Sequence, residues 1–208
     1  MDTAAMLIAV RFALYLNLML VFGLPLFCMY TFKGAEERPS GELVSTGAAI
    51  GLSLAGVGLS IIGLLLLAAS MSDVPVLNLD RETMDAVLNR TAAGTACKLR
   101  IAALVATLPA IAFIRRADLS RWIMLSCLGA VALGSVAWSG HGAADEGALG
   151  TAHLVADIAH LLAAGIWVGA LVGLPLLLRK ASTTPDGQHN HNGGDRAYPL
   201  SSISRSVA

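Results

Sequence analysis

His153, Asp157 and His160 interrupt an otherwise apolar stretch, TAHLVADIAHLLAAGIWVGALVGLPLLL, at steps of four and three residues. Side chains stack on one face of a helix at those spacings, so the three form a single stripe. The stripe climbs roughly 10 Å at the usual helical rise. His141 lies shortly before it in the turn WSGHGAADEG, whose glycines let the chain fold back over the stripe. Imidazole is a common metal ligand and the side chain that exchanges a proton near neutral pH. Ionisable groups are expensive inside a bilayer, so a ligand or proton-handling role is the favoured reading. The plainer alternative is an interfacial pair at the mouth of a helix bundle, with His153 and Asp157 bonded to each other and to water. His160 lies deeper along the helix than His153 and is expected to be the better desolvated of the two.

A membrane must hold such a stripe. Of 208 residues, 56% are hydrophobic and 13% charged, with a mean hydropathy of +0.71. A soluble domain carries about a quarter charged residues, so the composition is that of an integral membrane chain in contact with the lipid bilayer. The formal net charge is zero and the basic residues form no patch or stripe, which argues against a nucleic-acid partner. Cys28, Cys97 and Cys127 are scattered, with no CxxC pair, and indicate neither a disulfide framework nor a zinc knuckle. Cys28 and Cys127 fall in apolar segments, where a packed thiol is the expected role. No nucleophile–base pair with recognisable spacing, phosphate loop or HExxH is present, so the chain does not read as an enzyme.

The first apolar run, Ala4 to Phe32, is broken only by Arg11. It is too long for a signal-peptide core and lacks a basic lead-in, so it reads as a retained first transmembrane helix. Arg11 is expected to snorkel towards the near interface. After the charged loop KGAEERPSGE, a second helix spans Leu43 to Met71, and its Gly47, Gly51, Gly56, Gly58 and Gly63 predict a close-packing face. Within the polar excursion from Ser72 to Lys98, DRETMDAVLNRTAAG predicts a short amphipathic helix on the membrane surface. Asp80 is its expected N-cap and Gly94 its stop, with Met84, Val87, Leu88 and Thr91 on one face. Leu99 to Ile114 forms a third span and Trp122 to Trp138 a fourth, with a Trp at each end as in an aromatic belt. The fifth runs from Thr151 to Leu178, with Gly165, Gly169 and Gly173 repeating as a packing seam. The expected fold is all-α: a polytopic bundle of about five transmembrane helices plus one interfacial helix over residues 4–180. Residues 181–208 have no periodicity and read as a disordered tail; its His189 and His191 are weak metal candidates at most.

The loops after the first, third and fifth helices carry Lys33 and Arg38, then Arg115, Arg116 and Arg121, then Arg179 and Lys180. The loop after the fourth has no Lys or Arg and holds Asp145 and Glu146. Arg81, Arg90 and Lys98 in the longer second connection run against the trend. The positive-inside rule then predicts an exterior N-terminus and a cytoplasmic C-terminal tail. His141, His153 and His160 face the exterior, which in a Gram-negative cell is the periplasmic side of the inner membrane.

The run W-S-G-H-G, the acidic glycine-rich turn and H-x3-D-x2-H-L-L-A-A-G-I-W-V-G-A-L together resemble the copper resistance protein D family of bacterial inner-membrane proteins. LNRTAAGTACKLRIAAL, before the third span, is similar to that family in pattern and placement, and the resemblance covers about residues 4 to 180. It implies a polytopic protein that handles copper across the inner membrane, beside a periplasmic copper-binding partner of the CopC type. It also implies His141, His153 and His160 as metal residues, with Asp157 as the orienting carboxylate. Family members continue through further transmembrane helices, so this chain reads as a shortened member.

Copper binding and import, or delivery, at the periplasmic mouth is the leading expectation, since imidazole suits copper in either oxidation state. The alternative is a b-type haem electron carrier. Its two ligands must approach the iron from opposite faces, which His153 and His160 on one helix do not do; His141 or another helix has to supply the second. A third reading is a structural subunit indifferent to all three His.

Overall fold

The computed structural model describes residues 3–31, 44–72, 74–113, 119–139 and 147–183. Six α-helices follow one another: α1 (Thr3–Thr31), α2 (Thr46–Ser72), α3 (Arg81–Arg90), α4 (Ala92–Phe113), α5 (Leu119–Gly134) and α6 (Gly147–Thr183). One-turn 3₁₀ segments lie at Val76–Asn78 and Ser135–Ser139, and no strand occurs among the described residues. Five stretches are long and apolar enough to cross a membrane: Ala4–Thr31, Thr46–Ser72, Ala92–Ala112, Leu119–Trp138 and Ala148–Arg179. The expected all-α bundle of five spans and one short helix is therefore what the chain forms.

α1 is the hub, packed against α2, α5 and α6, while α4 closes the ring by packing on α2 and α5. Leu14, Leu18, Val21 and Phe22 of α1 meet Ala103 and Leu104 of α4 and Ala132 and Leu133 of α5 in one buried cluster. A second cluster joins Cys28, Ala110, Ile111, Trp122 and Leu125. Inside a bilayer no hydrophobic force separates these contacts from lipid contacts, so shape and polar pairing decide which helices meet.

Shape decides the α1–α6 pair. A Cβ on Gly23 would run into the carbonyl oxygen of Gly165 and stand 2.8 Å from the Cα of Gly169. A Cβ on Gly169 would strike the backbone of Gly23, and one on Gly173 the ring of Phe27. The expected glycine seam of the last helix is thus real, and it lies against Phe22, Gly23 and Phe27 of α1. Residue 23 lies against 165 and 169 and residue 27 against 173, so α1 and α6 run in the same direction. The glycines of α2 behave differently. Gly47, Gly51 and Gly58 have open space where a Cβ would stand, and only Gly56 is tightly enclosed, by Asn17 Nδ2 at 2.7 Å and Leu104 Cδ1 at 2.9 Å. Glycine content alone marks no face; the partner helix does.

Polar side chains tie the other pairs. Asn17 Nδ2 donates to the carbonyl of Leu52 at 3.1 Å, joining α1 to α2. The hydroxyls of Ser53 and Thr107 pair at 2.7 Å between α2 and α4. Nearer the α3 end of the same interface, Cys97 Sγ donates to the carbonyl of Ser60 at 3.6 Å. Such bonds contribute on average about 0.6 kcal/mol each in membrane bundles, and they fix register.

The α3–α4 junction departs from expectation. Asp80 does cap α3, its Oδ1 accepting from the backbone N–H of Thr83 at 3.0 Å, and Val87 is the buried residue of its apolar face. Gly94, however, does not stop α3. Thr91 does: its backbone is extended, its hydroxyl donates to the carbonyl of Val87 at 2.6 Å, and the same oxygen accepts from the N–H of Gly94 at 3.0 Å. One threonine ends α3 and caps α4, so α4 begins at Ala92 rather than at Leu99. Gly94 is needed because a Cβ there would meet the last carbonyls of α3.

Candidate metal-ligand site

The sequence TAHLVADIAHLLAAG is helical throughout: residues 147–150 extend the expected fifth span at its start, so His153, Asp157 and His160 all lie in the first half of α6. Their helical spacing is confirmed, and with it the common stripe. The stripe faces outward. All three residues are exposed, whereas Gly150, Gly165, Gly169 and Gly173 are the buried positions of α6. Depth along the helix therefore does not bury His160 within this bundle. The physical reason is the glycine seam: α6 packs chiefly on α1, with lesser contacts to α5 and the Ser135–Ser139 segment, and the stripe lies away from all three. Below the stripe that free face is apolar, with Ile166, Trp167, Leu171, Leu174 and Leu178 exposed as a lipid-facing surface requires.

His153 and His160 stand two turns apart on a straight rod, too far to share one ion, and Asp157 lies between them as a neighbour of each. In agreement, no group of three or more His, Cys, Asp or Glu among the described residues is close enough to hold a metal. The stripe is an open row of side chains and not a closed cage. His141 lies outside the described residues, as do His189 and His191. The same geometry removes support from the haem reading: the two described His share one helix and cannot approach an iron from opposite faces.

Two functional-looking residues escape a reading of the sequence. Arg100, inside the expected third span but given no role there, is buried in α4, 5% exposed, with Nε donating to Ser135 Oγ at 3.1 Å. Ser135 in turn donates to the carbonyl of Ala132 at 2.7 Å. Arg121, expected in a turn, is 2% exposed within α5, its guanidinium 5.5 Å from the centre of the Trp122 ring, a cation–π distance. The available signal was the helical register of each Arg with the apolar residues that follow it. Among the thiols, Cys28 is packed as expected and Cys97 is buried, but Cys127 faces outward.

Comparison with known proteins bears directly on what such a bundle does. No solved structure matches the chain. The family profile described as "Copper resistance protein D-like, N-terminal domain" matches residues 1–151, which takes in all of the bundle before the stripe. "Copper resistance protein D" of Pseudomonas syringae pv. tomato is 43% identical over 178 residues, an alignment covering 83% of this chain and 56% of that protein. The chain thus spans little more than half the length of this curated relative. A match over most of the sequence, on a five-span helical frame, establishes that the chain belongs to the copper resistance protein D-like family.

Proposed function

We propose that the chain binds copper on the outward face of α6 and takes it up from the periplasm, or delivers it, across the inner membrane. The observation that carries this reading is the stripe itself: His153, Asp157 and His160 occupy one exposed face of a membrane helix in a copper-resistance family. Imidazole nitrogen binds copper in both oxidation states. Asp157, adjacent to both rings along the helix, accepts a ring N–H and leaves the other nitrogen free for metal. Because the two His cannot meet on one ion, each receives copper together with a further ligand, His141 from the preceding turn or a group on a neighbouring helix. The basic residues after the first, third and fifth spans put the start of α6 on the periplasmic side, where a copper-binding partner of the CopC type can load it.

Metal analysis of the detergent-purified chain, loaded with cuprous ion and washed, tests the proposal. The expected result is retained copper in the parent and its loss when His141, His153 and His160 are all replaced by alanine. Equal copper in both proteins overturns it.

A further inference from the structure

At the end of the bundle where α1, α4 and α6 begin, a cavity of about 80 Å³ lies between α1, α2 and α4. Its walls include Arg11, Tyr15, Ser60, Cys97 and Arg100. A site that holds one water needs about 10–15 Å³ by this measure, so there is room for an ion with part of its hydration. The chemistry of the wall is one-sided. Two guanidinium groups line it, and the described acidic residues Asp80, Glu82, Asp85 and Asp157 do not. Arg100 is 5% exposed in a membrane span and gives one N–H, from Nε, to Ser135. Cys97 and Tyr15 share the cavity wall with it. Ser60 and Cys97 already donate their protons to the carbonyls of Gly56 and Ser60. Of the wall residues, Arg11, Arg100 and Tyr15 carry the N–H and O–H groups left to donate to an occupant. A permanently charged guanidinium is costly at membrane depth unless a counter-charge meets it.

We propose that this cavity is an anion-binding site, in which Arg100, Arg11 and Tyr15 donate to one compact anion. Halide or oxyanion from solution and the phosphate of a lipid headgroup share that chemistry, and both reach this end of the bundle. The inference stands on the cavity and does not need the copper reading.

Two measurements on the full chain in detergent separate the sources. Chloride is titrated and followed by its NMR linewidth, and phospholipid retained through purification is extracted and identified. If solution anion is the ligand, the parent broadens the chloride signal, and Arg100→Gln weakens binding roughly 10- to 100-fold, as loss of a charged hydrogen-bond donor does. If lipid is the ligand, anionic phospholipid stays with the parent in stoichiometric amount and is lost from Arg100→Gln. Should Arg100→Gln fail to fold, Arg11→Gln and Tyr15→Phe carry the test, because Arg11 is exposed on α1 and Tyr15 is only half-buried. Absence from the parent of both chloride broadening and retained anionic lipid overturns the proposal. So does binding of either kind that both of these variants leave unchanged.

Discussion

Asp157 has a neighbouring imidazole on each side, one turn earlier and one turn later on the same face of α6. In the proposed copper site a carboxylate so placed would orient the rings without touching metal. Asp157→Asn keeps the shape and loses the charge, so copper affinity is expected to fall roughly 10- to 100-fold, the usual effect of removing a ligand's hydrogen-bond partner. An unchanged dissociation constant by chelator competition would assign Asp157 to the helix surface alone. Asp80 offers a second test at this scale. Thr83, through its side chain first and its backbone N–H second, holds the Asp80 carboxyl below the usual carboxylate range. A depressed folded value means the cap helps α3 above the ordinary carboxylate pKa and ceases to help as pH falls through the lower folded one. Amide exchange in residues 81–84 is therefore expected to be faster in Asp80→Ala than in the parent near neutral pH, with the difference vanishing in strong acid.

At the scale of helices, the seam between α1 and α6 is the contact that places the stripe. Gly169→Leu sets a side chain against the backbone of Gly23 and is expected to lower stability by roughly 1–3 kcal/mol, the range for overpacked sites. Gly51→Leu, with open space in the same test, is expected to change the unfolding temperature in detergent by little. Equal effects of the two would mean that α6 is held by something other than its glycines. Segment lengths and apolar runs made the five spans legible from sequence, since nothing else in a chain of this composition extends so far without charge. The start of α4 was not legible, because one threonine ends α3 and opens α4, and Gly94 within AAGTACK reads in sequence as a helix stop. Nor was the packing face of α2, where only Gly56 has a partner close enough to need a glycine.

For the whole molecule, the stripe's helical register was readable from residue spacing, while its outward orientation was not. Orientation depends on which ridge of α6 finds α1, a property of two helices together. The charged loops give a topology that can be checked. A reporter fused after Thr183 is expected to be active only if it is of the cytoplasm-active kind, and periplasmic activity there would put the stripe on the wrong side for periplasmic copper. The central claim, that this face of α6 is a copper site, is tested most directly by titrating cuprous ion against a competing chelator in the parent, His153→Ala, His160→Ala and the double variant. Both rings are exposed and each receives copper separately, so each single change is expected to lower the copper held per chain and the double variant to abolish competition. Copper binding by the double variant equal to that of the parent would contradict the account.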